Sequence, residues 1–326
     1  MFQWGIIGGG FISSQFAKGL KTVPDMKVGA LASRSGRNPY GIHADRYYYS
    51  YEELAEDPKI QAVYIGTIHP EHASCAKICL ERGKPVLCEK PVTMNERELQ
   101  EVLELAEKNN VFFMEAMWTR FIPAVRWLRE AIRKGTYGKV HNIHITFGGP
   151  ADPKNRRLLE AGLGGGALLD VGVYGMNTAA YLLGEHPREL HAWAEKTEET
   201  VDLSTCIQAV YPGGALADMV FSINRKVNSK MVLVTDLAEL EIPYFWRPDT
   251  IYELEPNHDF CTELLREKRT FSIEGNGYHY EALEVREAIR QGKTESLLMP
   301  WEESRKIMGE LDQIRAVCGI QYPQDL

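Results

Sequence analysis

Short apolar runs alternate with amphipathic stretches along the first third of the chain. The opening segment FQWGII predicts a strand that ends in Gly8–Gly10, and the residues after it have helical spacing. Further strands are predicted over 26–33 (MKVGALAS), 46–50 (RYYYS), 61–67 (QAVYIGT), 84–90 (KPVLCEK) and 111–117 (VFFMEAM). Helices are predicted over 71–83, stopped by Gly83, and over 95–110, where Leu99, Leu103 and Ala106 follow at spacings of four and three. Strands separated by helices predict an open parallel sheet covered on both faces. After about residue 120 the period shortens to two. Strands are predicted over 139–149, 199–214, 215–227, 230–236 and 238–246, with clear alternation at Ala215, Ala217, Met219, Phe221 and Ile223. Runs of strands joined by short turns predict a large, mostly antiparallel sheet. The one clear helix early in this part is GGGALLDVGVYGMNTAAYLLG, ending near Gly184.

Composition narrows the class without choosing a function. The 326 residues suffice for two domains, and 44% hydrophobic with 25% charged residues is ordinary for a globular chain. A net charge of −8 with no block of Lys or Arg argues against a nucleic-acid or anionic-membrane partner. No run of about 18 apolar residues is present, and the N-terminus enters a strand without a basic leader, so neither a membrane span nor a signal peptide is expected. The six cysteines, Cys75, Cys79, Cys88, Cys206, Cys261 and Cys318, form no CxxC pair, and a reducing, cytoplasmic setting is expected. One face of the second sheet should pack on helices. The other face, unless covered, predicts a homodimer or larger homo-oligomer.

Candidate chemistry starts at the first turn. Gly8, Gly10 and Ser13 occupy the G-x-G-x-x-small positions of a dinucleotide-binding unit, with Phe11 and Ile12 between them at the start of the helix that would face a pyrophosphate. Twenty residues beyond Ser13, where a carboxylate would meet an NAD ribose, the chain reads SRSGR. Ser33, Arg34 and Arg37 suit a 2′-phosphate, so NADP is the expected cofactor, with NAD an option. The organisation expected is a Rossmann dinucleotide-binding domain over 1–120 and an α+β domain over 121–326, whose C-terminal helices have room to pack back on the first. In such a sheet the ligand sits at the carboxyl ends of the strands. Thr67 and His69 follow one strand; Glu89 and Lys90 end another, just before Pro91. Spacing alone leaves Lys90 open to two readings, a charge aimed into the crevice or a surface Lys-Pro turn. His69 and His72 have a metal-like spacing, but no further ligand is evident and no metal is expected.

Taken together, GIIGGGFIS, TIHPEH, LCEKPVTMN, EAMWTRFIPA and GGGALLDVGVYGMN resemble the Gfo/Idh/MocA oxidoreductase family, and within it the dihydrodiol and D-xylose dehydrogenase branch. The resemblance spans nearly the whole chain. It implies a catalytic Lys90, with Asp170 and Tyr174 in the active site and Trp118 and Arg120 nearby in contact with cofactor. Tyr174 stands where many members carry histidine. The activity implied is hydride transfer between NADP and a sugar or vicinal diol. Tyr174 would be the acid/base, its pKa lowered from about 10 by the Lys90 ammonium. Asp170 would fix Lys90 or a second substrate hydroxyl. Trp118 and Arg156 are further substrate-binding candidates. Two other functions fit the same motifs: an NADPH-dependent reductase of a sugar ketone or imine, and a non-catalytic NADP-binding sensor.

Overall fold

The computed structural model describes residues 1–255 and 264–326, so Cys261 lies outside the described residues. The elements in chain order are β1 (Phe2–Ile7), α1 (Phe11–Leu20), β2 (Met26–Ala32), β3 (Arg46–Tyr48), α2 (Tyr51–Glu56), β4 (Ala62–Ile65), α3 (His72–Glu81), β5 (Val86–Glu89), α4 (Glu96–Asn109) and β6 (Phe113–Ala116). They continue with α5 (Pro123–Arg133), β7 (Val140–Gly148), the short α6 (Arg156–Leu159), α7 (Val173–Leu183), β8 (Glu189–Lys196), β9 (Asp202–Val210) and β10 (Leu216–Ser222). The last are β11 (Lys230–Thr235), β12 (Glu239–Pro243), β13 (Thr250–Leu254), β14 (Leu265–Thr270), α8 (His279–Arg290) and α9 (Trp301–Cys318). Among the described residues no helix is long and apolar enough to cross a membrane.

The chain divides into two compact units, Met1–Trp118 with Glu274–Gly309, and Thr119–Ile273 with Glu310–Leu326. In the first, six parallel strands run in the order β3-β2-β1-β4-β5-β6, the doubly wound order with its switch point between β1 and β4. The central strands are buried on both faces and read as continuous apolar runs, as parallel strands must. Phe16 of α1 stacks on Tyr64 of β4 at 3.9 Å and meets Trp4 of β1 edge-on at 5.1 Å, which seats the first helix on the sheet. The β6 edge is covered by the returning chain: Phe113 N–H donates to the Thr294 carbonyl, and the Trp301 indole donates to the Phe113 carbonyl. Side-chain caps define two helix starts. Ser50 accepts from the Glu53 amide and Asn95 from the Glu98 amide.

The second unit holds an eight-stranded sheet in the order β14-β13-β12-β11-β7-β10-β9-β8. Among the described residues only the β7–β10 pair is parallel. The expected alternation is realised: Ala215, Ala217, Met219, Phe221 and Ile223 are all buried. Helix α7 lies on this inner face with most of its residues buried. It comes close because position 175 has no side chain. A β-carbon at Gly175 would stand 2.3 Å from Cζ of Phe221. On the outer face Trp193 is 60% and Leu216 50% exposed.

Three expectations need correction. The helix α5 falls between the strands expected over 111–117 and 139–149, in a stretch given no element from sequence; Ala124, Val125, Leu128 and Ala131 form its buried stripe. Strands β8, β13 and β14 were not foreseen: β8 and β14 are exposed over much of their length, and β13 is only five residues long. The helix expected through Asp170 and Tyr174 is not one α-helix. Leu168–Gly172 is a single π-helical turn, and α7 starts only at Val173.

Candidate active site

In the first unit, the turn after β1 is shaped for close backbone approach. Gly8 has φ +99°, and a β-carbon there would lie 2.8 Å from the Gly66 carbonyl oxygen. Gly10 is the N-cap of α1. No side chain caps this helix and its first turn has no acidic residue, so Phe11 and Ile12 open a helix that presents amides and a positive dipole end. Ser13 is fully buried, with its hydroxyl 3.4 Å from the Gly66 carbonyl; a small third residue is what this packing requires. Past β2, the Ser33 amide donates to the Tyr48 carbonyl, and the Ser33 and Ser35 hydroxyls are 3.4 Å apart. Arg34 lies 4.3 Å over the Tyr51 ring and donates to Glu71 at 3.1 Å. Arg37 is exposed on the same loop. These residues fit a dinucleotide: an uncapped helix start for the pyrophosphate, and hydroxyls and guanidiniums beyond β2.

Beside the carboxyl ends of β4 and β5 sits a residue whose spacing from His69 is metal-like. His72, fully buried, has Nδ1 2.8 Å from the Pro91 carbonyl and Nε2 3.4 Å from the Thr67 carbonyl. A neutral ring donates one proton, and the shorter contact marks Nδ1–H to Pro91 as the better bond. His69 is buried beside it, the rings edge-on at 5.8 Å. The peptide between Lys90 and Pro91 is cis. Behind Lys90, the buried Glu89 carboxylate accepts the Tyr64 hydroxyl and, at 3.3 Å, the Lys90 amide. Glu281 of α8 is fully buried, and among the described residues neither carboxyl oxygen has a hydrogen-bond partner. Burial, and then the charge on Glu89, hold its carboxyl well above the usual range. Burial, Glu89 and Glu281 likewise push the Tyr64 phenol up. Trp118 is buried in a stack on Tyr278, at 4.3 Å and 6°.

In the second unit Asp170 sits on the π turn and Tyr174 at the start of α7. Asp170 accepts from Arg157 at 3.1 Å, with the acid largely shielded and the base about one-third exposed. Arg156, the neighbour singled out from sequence, is turned to Glu160 instead and is 75% exposed. Tyr174 is buried, its ring edge-on to Phe147 at 5.6 Å. Arg120 is buried as well: it donates to Asn177 at 2.6 Å and lies 4.8 Å over Tyr181, bracing the segment before α5 against α7. Among the described residues, no cluster of three His, Cys, Asp or Glu side chains is placed to hold a metal ion.

Two family models match this chain. One, the oxidoreductase family with NAD-binding Rossmann fold, covers residues 2–117; the other, the GFO/IDH/MocA C-terminal domain, covers 125–239. The chain belongs to the GFO/IDH/MocA oxidoreductase family. It is 35% identical over 332 residues to trans-1,2-dihydrobenzene-1,2-diol dehydrogenase of Bos taurus, covering 99% of this chain and 98% of the relative. Among solved structures, levoglucosan dehydrogenase in complex with NADH and levoglucosan superposes with a TM-score of 0.85 at 19% identity, over 98% of this chain and 97% of that one. A 3-ketoreductase from Actinomadura kijaniata in complex with NADP and TDP-benzene superposes at 0.84 and 21%, over 97% and 98%. These two likenesses speak for the fold. This GFO/IDH/MocA member is thus an NAD(P)-dependent oxidoreductase, and its Lys90, Asp170 and Tyr174 are the residues to test first.

The Arg157–Asp170 pair makes a discriminating prediction. Arg157→Ala should lower turnover about tenfold, roughly the worth of one charge-assisted hydrogen bond. Arg156→Ala should lower it less. Steady-state kinetics on the two variants, with dinucleotide affinity measured separately by fluorescence titration, would show the order; equal losses would count against a special role for Arg157.

Proposed function

We propose that this protein is an NADP-dependent dehydrogenase acting on a CH–OH group of a vicinal diol or sugar, of the trans-dihydrodiol or D-xylose type. The observation that carries this reading is likeness over the full chain to a dihydrodiol dehydrogenase, combined with a lysine at the carboxyl end of β5 and a tyrosine at position 174. When bound, the nicotinamide supplies the hydride acceptor or donor. The first-turn amides of α1, with Gly8 and Gly10, hold the pyrophosphate. Ser33, Arg34 and Arg37 hold the 2′-phosphate, and Thr67, His69 and Trp118 belong to the cofactor-contacting set. Tyr174 takes the hydroxyl proton as the substrate is oxidised and returns it in reduction. Lys90 contributes the positive charge that favours the phenolate. Asp170, braced by Arg157, accepts from a second hydroxyl of the substrate.

Initial rates with NADP+ and NAD+ on D-xylose, D-glucose and trans-1,2-dihydrobenzene-1,2-diol, followed at 340 nm, test the reading directly. Turnover with NADP+ at least about tenfold more efficient than with NAD+ is expected, the worth of one to two phosphate contacts. A preference for NAD+ would remove the 2′-phosphate assignment and leave the dehydrogenase standing. Tight NADP+ binding with no turnover on any of the three would count against the substrate class.

Lys90→Met and Tyr174→Phe should each cut kcat by about 10²–10⁴, the span of general acid–base catalysis, with dinucleotide affinity within a few-fold of wild type. Equal loss of binding and turnover in Lys90→Met would mark that lysine as structural.

We further propose that two copies associate through the outer face of the eight-stranded sheet, where Trp193 and Leu216 stand exposed. Light scattering should give twice the mass of one chain for the wild type, and one chain for Trp193→Asp. A monomeric wild type at micromolar concentration would end this proposal.

A further inference from the structure

Beneath the π turn lies a buried acid that the proposed chemistry does not use. Asp202 opens β9 and is fully buried. One carboxyl oxygen accepts two hydrogen bonds, from the Leu168 amide at 2.7 Å and from the Thr205 hydroxyl at 2.6 Å. The other oxygen has no hydrogen-bond partner among the described residues. Leu168 is the first residue of the turn that carries Asp170, so the carboxylate sits on the amide end of the segment, where the helix dipole favours negative charge. A second hold comes from the end of the chain. The Tyr322 hydroxyl donates to the Gly165 carbonyl, and Tyr322 is itself held by Asp325, which accepts its amide and pairs with Arg315. Between these two holds is Gly166, with φ +128°. A β-carbon there would lie 2.2 Å from Asp202 Oδ1 and 2.8 Å from the Tyr322 hydroxyl. The 165–168 backbone is therefore held by both β9 and the C-terminal segment, which converge on the face that Gly166 leaves open.

We propose that Asp202 is a positioning residue, whose carboxylate fixes the turn bearing Asp170 and the start of the helix bearing Tyr174, with Tyr322 as the second jaw of the clamp. This rests on the reading of Asp170 and Tyr174 as active-site residues. The ionisable groups facing Asp202 are Arg315 and Cys318 of α9 and Tyr322; only Arg315 is cationic, and its guanidinium is shared with Asp312 and Asp325. Burial therefore prevails over the hydrogen bonds and raises the Asp202 carboxyl to about 6 from 3.8. The sign for stability follows. The unfolded chain ionises first, so this group's contribution to folding falls as pH rises from about 4 to about 6 and is level above that. Its hold on the turn changes in the opposite sense, because an ionised acceptor makes the stronger bonds.

Asp202→Asn keeps the shape and one acceptor but loses the charge. Hydrogen–deuterium exchange over the peptide spanning 166–175 is the direct readout and needs neither cofactor nor substrate. At pH 7.5 the variant should exchange about tenfold faster than wild type, and at pH 5 the two should converge, because one strong hydrogen bond is worth roughly a factor of ten. Unchanged exchange at pH 7.5 would overturn the clamp. With NADP+ and trans-1,2-dihydrobenzene-1,2-diol, wild-type turnover should rise through a limb near pH 6 that the variant lacks; a limb retained in full by the variant would overturn the positioning role. If Asp202→Asn fails to fold, Thr205→Val removes one donor, leaves the charge, and should move that limb upward; an unmoved limb overturns the same role. Tyr174→Phe is measured in parallel. Full turnover there would overturn the catalytic reading of the helix, while the exchange result would still decide the clamp on its own.

Discussion

Each unit places a carboxylate out of water, and the local geometry around its own candidate residues depends on how that burial is compensated. A buried ionised acid persists only where donors converge on it. Glu89 takes the Tyr64 hydroxyl and its neighbour's amide, so the strand end that carries Lys90 is anchored to β4. Asp202 takes the Leu168 amide and the Thr205 hydroxyl, so the π turn that carries Asp170 is anchored to β9. Glu281 shows the other outcome. With no donor on either oxygen among the described residues, its favoured form is the neutral acid. Burial makes Asp202 harder to ionise in the fold than in water, so its charge does not stabilise the fold, and its structural effect lies in the bonds to Leu168 and Thr205.

Packing supplies the rigidity that these hydrogen bonds alone would not. Helix α7 is buried almost all round, which only an element sandwiched between others tolerates. Its close seat on β10 depends on Gly175 against Phe221. Arg120, bonded to Asn177 and lying over Tyr181, braces the same helix from the segment before α5. Tyr174 therefore projects from a rigid helix and not from a loop, the arrangement that catalytic precision favours.

Much of this was legible in sequence because it is written in local periods. Alternating apolar runs marked the parallel strands, and period-two residues such as Met219 and Phe221 marked the inner face of the second sheet. Gly8 and Gly10 read directly as a turn before a helix. The misreadings share a cause, in that the deciding partner is distant in the chain. Asp202 is one acid among many until Leu168, 34 positions earlier, is seen to donate to it. His72 showed only its spacing from His69 until the Pro91 carbonyl, 19 positions on, is seen beside its Nδ1. Arg156 and Arg157 are equivalent on paper, and only backbone direction turns one to Glu160 and the other to Asp170. The helix α5 was missed for a different reason: its apolar stripe of Ala124, Val125, Leu128 and Ala131 is local, and that stretch was given no element.

The loop after β2 shows how magnitudes bear on cofactor choice. Arg34 already has partners in Glu71 and the Tyr51 ring, which at first sight removes it from phosphate binding. Yet the Arg34 and Glu71 side chains are 53% and 39% exposed. An exposed ion pair of this kind is worth about 0–1 kcal/mol. A hydrogen bond to a charged group is worth about 1.5–3 kcal/mol. The Glu71 contact is itself a hydrogen bond between charged groups, so an anion reaching this exposed loop competes with Glu71 on nearly equal terms, and neither pairing by itself selects a cofactor. The Tyr51 ring lies under the guanidinium whichever anion it meets.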